Sequence, residues 1–303
     1  MGFRHYASLE YEFFMFNETP DSVRAKGYKN LQPMTPCWFG YSMLRNSVRS
    51  EFYHQILELS EAMDFPLEGL HTETGPGVLE AAIAVDSAEN AADKAALFKT
   101  FIKVLAQRND MMATFMAKWS AQYPGQSGHI HLSLRHRDGD GSAFHDPQQA
   151  NGISTVQRQF LAGQQRLMPL FLSMIAPTVN SYTRMIPGFW APTDATWGIE
   201  NRTTALRVIP GTDKSQRIEY RLGAADANPY LALAAALGAG LYGIEQQWDP
   251  EPQITGNAYD QVHPKHLALP RTLWDSAQAL KSSAEANDLF GDAFVEHYAA
   301  SRE

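Results

Sequence analysis

Residues 9–16 read LEYEFFMF, an apolar and aromatic run that contains two glutamates, Glu10 and Glu12. Consecutive side chains of a β-strand point to opposite faces of a sheet, so both glutamates project to one face. Leu9, Tyr11 and Phe13 then project to the other. Two neighbouring carboxylates in a poorly solvated place repel each other and need a cation between them. The run therefore predicts either a strand whose polar face holds a cation or an exposed edge strand, and alone it favours neither.

The composition restricts the class of protein. The chain has 303 residues, enough for one large core or two modest ones. Its 25 Lys and Arg against 33 Asp and Glu give a net charge of −8, and no basic run alternates with aromatic residues, so nucleic acid is not an expected partner. Cys37 is the only cysteine, which excludes an internal disulfide and favours a reducing, cytoplasmic location. The longest apolar stretch, residues 230–244, is shorter than the roughly 20 residues of a membrane span. It predicts a tightly packed core helix and no membrane partner.

Amphipathic and alternating patterns occur in mixed order along the chain. Helical periodicity covers residues 43–63, 88–107, 153–175, 228–245, 271–282 and 290–300. Strand character covers residues 9–16, 79–85, 110–116, 129–134, 203–208 and 216–222. The segments rich in proline and glycine, 17–38, 135–152, 186–199 and 249–270, are predicted to be loops. This order predicts a single α+β domain over residues 1–303, with a largely antiparallel sheet and helices packed outside it.

Three further segments repeat the placement of charge on one strand face. They are HTETGPGVLEAAI with Glu73 and Glu80, SGHIHLSL with His129 and His131, and RIEYRL with Arg217, Glu219 and Arg221. The Gly-Pro-Gly turn in the first of these would let two backbone pieces bring their carboxylates together. Any one segment is better interpreted as a solvated strand face. Four segments that all direct charge to one side predict a shared site.

The side chains of this shared site indicate its chemistry. Five carboxylates with one or two imidazoles are a hard, oxygen-rich ligand set, which suits Mg²⁺ or Mn²⁺ rather than a structural Zn²⁺. Arginines that could bind carboxylate or phosphate follow at positions 184, 202, 207, 217 and 221. Divalent metals beside an arginine cluster are typical of phosphoryl transfer. The sequence contains neither GxxxxGK[ST] nor GxGxxG, so a nucleotide site would not use a common glycine-rich loop.

Six motifs that follow one another in order resemble the catalytic domain of the glutamine synthetase family. They are LEYEF, HTETGPGVLE, SGHIHLSL, NSYTRMIPGFWAP, NRTTALR and RIEYRLGAADANPYL. The resemblance covers nearly the whole chain and implies a curved, largely antiparallel sheet flanked by helices. Family members also have an N-terminal β-grasp domain and a C-terminal helical tail, which this sequence lacks. In the family a neighbouring subunit of a ring completes each active site, so we expect this chain alone to be inactive or very weak.

The resemblance also implies a role for each matched residue. The residues that would hold one metal are Glu12, Glu73 and Glu80, and those for the second are Glu10, His129 and Glu219. The glutamate substrate would be bound by Arg184, Arg221 and the backbone of Gly125. The ATP phosphates and the transferred charge would be surrounded by Arg202, Arg207, Arg217 and Lys214. The residues beside the nucleotide and the reacting phosphoryl group would be His131 and Ser133.

The implied reaction has two steps, and one departure from the family bears on the second. Glutamate attacks the γ-phosphate of ATP to give γ-glutamyl phosphate, and an amine then displaces phosphate. Ammonia-using members have a proton-accepting Glu on a flap where this sequence has Trp190, in PGFWAP. Indole accepts no proton but can hold a cation or an alkyl chain against its face. The sequence therefore favours an organic amine, as used by γ-glutamyl polyamine or monoamine ligases.

Three alternatives stay open at this point. The first is an ammonia-using glutamine synthetase, with Trp190 as a structural residue. The second is a non-catalytic relative, against which the retained acidic residues argue. The third is a guanidino kinase, which shares the sheet architecture but fits the motifs less well. Tyr259 lies in a segment that resembles a loop modified in some family members, and we expect it to be unmodified.

Overall fold

The computed structural model describes residues 2–139 and 141–303 and contains an open, nine-stranded sheet in that part of the chain. The strands are β1 (Phe3–Phe16), β2 (Leu67–Thr72), β3 (Val78–Ile83), β4 (Asp86–Ser87), β5 (Met112–Thr114), β6 (Gly128–His136), β7 (Trp197–Ile199), β8 (Leu206–Ile209) and β9 (Arg217–Tyr220). Their order is β2-β3-β1-β6-β9-β8-β7, and β4 and β5 also pair with β1. Only β7 and β8 pair in parallel among these strands, so the predicted α+β fold with a largely antiparallel sheet is confirmed.

Helices occupy the segments between the strands. They are α1 (Pro20–Ala25), α2 (Met43–Val48), α3 (Ser50–Ala62), α4 (Ala88–Arg108), α5 (Thr155–Ile175), α6 (Val179–Arg184), α7 (Pro229–Glu245), α8 (Leu273–Lys281), α9 (Ala284–Phe290) and α10 (Asp292–Ala300). Three of the long predicted helices are confirmed as α4, α5 and α7. The helix predicted over residues 43–63 is interrupted at Arg49, whose backbone leaves the helical region. All four predicted loops contain short elements: α1 in residues 17–38, β7 in residues 186–199, one 3₁₀ turn in residues 135–152 and two in residues 249–270.

The strand β1 lies at the centre of the sheet and separates an apolar face from a polar one. Its side chains Leu9, Tyr11 and Phe13 are buried in the main core. There Tyr11 and Phe13 pack against Phe98 of α4, with ring centroids 6.1 and 5.8 Å away. The alternation predicted from LEYEF is therefore confirmed. It leaves the opposite face, with Glu10, open to a cavity.

The helices α5 and α7 pack closely against each other because small residues line their contact. A Cβ atom added to Gly163 would lie 2.1 Å from the carbonyl oxygen of Ala239, and one added to Gly243 would lie 2.3 Å from that of Gln159. Neither position therefore accepts a larger side chain without separating the helices. The tightly packed core helix predicted over residues 228–245 is confirmed. Within residues 2–139 and 141–303, no helix combines the length and apolar character that a bilayer crossing needs.

Candidate active site

A cavity of about 790 Å³ opens on the polar face of the sheet. Every residue that the sequence assigned to the site lines this one cavity. These residues are Glu10, Glu12, Glu73, Glu80, Gly125, His129, His131, Ser133, Arg184, Trp190, Arg202, Arg207, Lys214, Arg217, Glu219 and Arg221. They come from five strands (β1, β3, β6, β8 and β9), from helix α6 and from loops far apart in the chain, and the sheet topology brings them together.

Strand register explains why the acidic residues meet. Glu12 on β1 lies opposite Glu80 on β3, and Glu10 lies opposite His129 on β6. On the other side of β6, His131 lies opposite Glu219 on β9. Directly opposed side chains on one face of a sheet are in contact distance. Four adjacent strands thus present carboxylates and imidazoles to one place.

Three groups of these side chains have potential ligand atoms within 4.8 Å of one another. They are Glu10 with His131 and Glu219, Glu10 with Glu80 and His129, and His71 with Glu73 and Glu80. The first two groups overlap the predicted set of Glu10, His129 and Glu219. In the third, His71 takes the place expected for Glu12, whose Oε2 instead accepts hydrogen bonds of 2.5 Å from the backbone N–H and the hydroxyl of Ser127.

The electrostatics of these groups fit a divalent cation. Burial and the neighbouring Glu10 raise the pKa of Glu80 well above its ordinary value, because a second negative charge is unfavourable there without a cation. Within the described ranges, Glu73 Oε2 and His129 Nε2 are buried and have no hydrogen-bond partner. Buried polar atoms are normally satisfied. Carboxylate oxygens and imidazoles together suit Mg²⁺ or Mn²⁺, so these residues could hold such an ion.

Arginines fix the carboxylate at the bottom of the cavity. Arg221 donates to Glu219 Oε1 at 2.6 Å, and Arg207 donates to Glu219 Oε2 at 3.1 Å. Arg207 also donates to Glu200, outside the sheet core. Burial opposes ionisation of Glu219, but the positive charge of its neighbours outweighs it and lowers the pKa to about 2. Glu219 is therefore ionised at neutral pH and keeps both arginines in place.

Arg184 and Gly125 form a second part of the cavity wall. Arg184 is buried, and its guanidinium donates to the carbonyl oxygens of Leu222 at 3.0 Å and Arg221 at 3.3 Å. Burial lowers the pKa of Arg184 to about 10, so the group keeps its charge at neutral pH. A Cβ atom at Gly125 would lie 2.4 Å from Arg184 Cγ and 2.6 Å from the carbonyl oxygen of Ala117. Only glycine allows the backbone to approach Arg184 this closely.

The remaining basic residues lie nearer the mouth of the cavity. Arg217 donates to His131 Nδ1 at 3.2 Å and to the carbonyl oxygen of Ser215 at 3.0 Å. Arg202 and Lys214 line the cavity and are exposed to solvent. An anionic ligand could therefore bind to these two side chains without first separating a buried ion pair.

A short loop closes part of the mouth. Phe189 and Trp190 line the cavity from this loop, and Trp190 is 57% exposed. Gly188 and Trp190 both have positive φ angles, of 84° and 58°. The loop therefore turns sharply and directs two aromatic rings to the cavity rather than into the core.

Sequence reasoning missed four residues of this site. His71 stacks on Tyr41 at 4.7 Å between ring centroids, and its Nε2 lies 3.4 Å from Glu80 Oε2. Ser127 holds Glu12, and Glu200 pairs with Arg207. His71 had a usable signal, because it lies two residues before Glu73, and side chains two residues apart in extended backbone point to the same side. The strand that contains His71, β2, was not predicted.

The fold and the cavity together define a class of protein. An open, largely antiparallel sheet that directs carboxylates, imidazoles and arginines into one cavity is suited to a divalent metal and an anionic substrate such as a phosphate ester. The family model of the glutamine synthetase catalytic domain matches residues 1–303. The chain therefore belongs to the glutamine synthetase family.

Individual relatives agree with this assignment. The chain is 43% identical over 297 residues to type-1 glutamine synthetase 2 of Dictyostelium discoideum, covering 97% of the chain and 56% of the relative. It is 38% identical over 301 residues to the glutamate–isopropylamine ligase of a Pseudomonas species, covering 99% of the chain and 65% of the relative. The chain thus spans between about half and two thirds of the length of these two relatives.

Among solved structures, the chain resembles a complex of GmaS with ADP. The TM-score is 0.86 and the sequence identity is 29%, covering 99% of this chain and 69% of that one. A likeness of this extent covers the complete sheet and its flanking helices.

Proposed function

We propose that this chain carries the catalytic site of an ATP-dependent ligase that joins the γ-carboxylate of glutamate to an amine. The observation that supports this most is the single cavity in which acidic clusters able to hold a cation lie beside arginines that bind anions. Family membership and the glutamate–isopropylamine ligase among the relatives point in the same direction.

In this proposal ATP and two or more Mg²⁺ or Mn²⁺ ions are the cofactors. The acidic residues with their histidines would hold the ions, which when bound supply positive charge that neutralises the phosphates. The residues proposed to surround the ATP phosphates are Arg202, Arg207, Lys214 and Arg217, with His131 and Ser133 beside the nucleotide. Those proposed to bind glutamate are Arg184, Arg221 and the backbone of Gly125.

The chain's own residues act mainly by orienting charge. Arg184 is held by backbone carbonyls and would present its remaining donors to the α-carboxylate of glutamate. A γ-carboxylate oxygen then attacks the γ-phosphorus, the bond to the β-phosphate oxygen breaks, and ADP leaves. Arg207 and Arg217 would stabilise the charge on the transferred group. The nitrogen of the neutral amine next attacks the acyl carbon, the bond between that carbon and the phosphate oxygen breaks, and the proton lost by the nitrogen leaves with the phosphate.

We propose an organic amine, such as a polyamine, a monoamine or an ethanolamine-like molecule, rather than ammonia as the nucleophile. Trp190 lines the cavity and cannot accept a proton, but its ring can hold an alkyl chain or an ammonium group. The second candidate is an ammonia-using glutamine synthetase, which is favoured by the identity to the Dictyostelium enzyme.

The chain spans 56% and 65% of the length of the two relatives described above, so the activity of the whole protein is a proposal. We propose that residues 1–303 form one catalytic domain, that the complete protein assembles as a homo-oligomeric ring in the cytoplasm, and that a neighbouring subunit completes each site. Under this proposal residues 1–303 alone would have little activity.

The experiment that tests the function is an assay of the full-length protein. ADP release and γ-glutamyl amide formation, followed by mass spectrometry, are measured with glutamate, ATP, Mg²⁺ and separately isopropylamine, ethanolamine, putrescine or ammonium. We expect product with at least one organic amine and weak or no glutamine formation. Turnover with ammonium alone would support the second candidate, and no turnover with any amine would reject both. The Glu219→Gln variant serves as the inactive control.

A further inference from the structure

Lys118 is a buried cation that the catalytic scheme does not use. Its side chain is 7% exposed, and among the described residues its Nζ atom has no hydrogen-bond partner. A buried ammonium group without a partner is unfavourable, so the position calls for a compensating contact. Burial, and then the nearby Arg184, lower the pKa of Lys118.

The contact that Lys118 makes is with the loop at the cavity mouth. Its Nζ atom lies 5.0 Å from the centroid of the Phe189 ring, within the range of a cation–π interaction. Phe189 and Trp190 line the cavity, whereas Lys118 does not. The ammonium group therefore contacts the loop without itself lining the cavity.

Lys118 itself is fixed to the rigid part of the fold. The ring of the next residue, Trp119, packs against Phe14 and Phe16 at the end of β1, with centroids 5.6 and 4.8 Å away. The backbone of Ala117 accepts a hydrogen bond of 2.8 Å from Gln126. The sheet thus holds the base of the Lys118 side chain.

The loop, in contrast, has few contacts of its own. Phe189 is 38% exposed, and its backbone N–H donates to the carbonyl oxygen of Ile186 at 3.2 Å. Phe189 and the 57% exposed Trp190 are thus not held by core packing. A cation in contact with the Phe189 ring is therefore well placed to determine the position of the loop.

We propose that Lys118 is a positioning residue that holds Phe189, and through it Trp190, over the amine subsite. Its contact determines how well an organic amine is bound, while glutamate and ATP binding do not depend on it. This proposal rests on the proposed ligase function for its kinetic readout. It does not rest on that function for the position of the loop.

The kinetic test compares Lys118→Met, Lys118→Arg and Phe189→Leu in the full-length protein. Lys103 is a matched control, because its Nζ also faces an aromatic ring, Phe115, at 5.7 Å but outside the cavity. We expect Lys118→Met and Phe189→Leu each to raise the KM for the amine about 2- to 30-fold, the range that a cation–π contact gives. The KM values for glutamate and ATP should stay within about twofold of the unmodified values, because the arginines that bind them are untouched.

The remaining variants distinguish a positioning role of Lys118 from general damage to the fold. Lys118→Arg keeps the cation and should restore the amine KM, and Lys103→Met should change nothing. The double variant Lys118→Met with Phe189→Leu should be no worse than either single one, since both remove the same contact. A rise in the KM for glutamate without one for the amine would overturn the proposal, because Lys118 would then bind the substrate carboxylate directly.

A second measurement needs no activity at all. Hydrogen–deuterium exchange of the amides of residues 186–190, followed by mass spectrometry, should be at least about twofold faster in Lys118→Met and unchanged in Lys103→Met. Unchanged exchange in both variants would overturn the positioning role even if the ligase activity were established. If exchange increases but no amine is turned over, the positioning role stands and the proposed function fails. Phe189→Leu, at a partly exposed position, gives the same test if Lys118→Met does not fold.

Discussion

The acidic face of the sheet and the loop that carries Trp190 border the same cavity, but they are built differently. The acidic residues sit on paired strands, where register fixes Glu12 opposite Glu80 and Glu10 opposite His129. Trp190 sits on an exposed loop with positive φ angles. Side chains on paired strands keep a geometry that metal and phosphate chemistry require. A loop can change its residues without disturbing that geometry. The difference suggests that the reaction type resides in the strands and the choice of amine in the loop.

The largest expected loss of activity follows the substitution of an acidic residue on a strand. Replacing Glu219 with Gln removes a charge that Arg207 and Arg221 contact directly. We expect ADP release with glutamate and amine to fall by at least about 10²–10³-fold, as for other losses of charge at a reacting centre. The matched control is Glu68→Gln, because Glu68 also lines the cavity but belongs to none of the three ligand groups. Comparable losses in the two variants would contradict the special role of the strand residues.

A smaller effect is expected at the wall formed by Gly125. In Gly125→Ala the new methyl group would overlap Arg184 Cγ and the carbonyl oxygen of Ala117, so Arg184 must move. Because even small displacements of a substrate-binding group are costly, we expect the KM for glutamate to rise about 10- to 100-fold. Gly139→Ala is the control, since a Cβ atom there meets nothing within 4 Å. An unchanged KM in Gly125→Ala would show that Arg184 does not bind glutamate.

A substitution in the loop should change the selectivity for the amine more than the turnover. Trp190→Ala removes the ring that faces the cavity and should lower kcat/KM for an organic amine about 2- to 30-fold, with little change in the KM for ATP. Trp274→Ala is the control, because Trp274 on helix α8 is similarly exposed, at 54%, and does not line the cavity. Competition assays with mixed amines would measure the shift directly. Equal losses of kcat/KM for every amine and for ATP would contradict the claim that the loop selects the amine while the strands determine the reaction.

The smallest effect concerns a carboxylate outside the cavity. Glu18 accepts hydrogen bonds from Lys26, Ser22 and the backbone of Gln32, and the bonds from Lys26 and Ser22 lower the pKa of Glu18 to about 2. A lowered pKa in the folded state stabilises the protein above the ordinary value near 4.5, and this stabilisation disappears as the pH falls from 4.5 towards 2.

Glu18→Gln should therefore lower Tm by about 2–4 °C at pH 7 and have a progressively smaller effect in that acidic range. Thermal melts monitored by circular dichroism provide the measurement. Metal binding should not change, because protein groups already satisfy Glu18. A constant Tm difference from pH 7 to pH 2 would argue against the ionised contact.

The sequence predicted those parts of the site that follow from strand alternation. In LEYEF, SGHIHLSL and RIEYRL a polar residue at every second position marks one face, and the structure brings these faces together. His71 was missed because β2 has a weak alternation pattern and lies at the edge of the sheet. The division of the helix at Arg49 and the parallel pairing of β7 with β8 depend on long-range contacts that local patterns do not contain. The contact between Lys118 and Phe189 likewise depends on tertiary packing.

The most direct test of this account is a calorimetric titration of the protein with Mn²⁺ or Mg²⁺, comparing the unmodified chain with Glu10→Gln. Glu10 belongs to two of the three ligand groups, so one substitution removes a ligand from both. We predict that the unmodified protein binds divalent ions at two or more sites and that Glu10→Gln weakens binding by at least about tenfold. Absence of binding in the unmodified protein, or equal binding in both, would contradict the claim that these strands converge to hold metal ions.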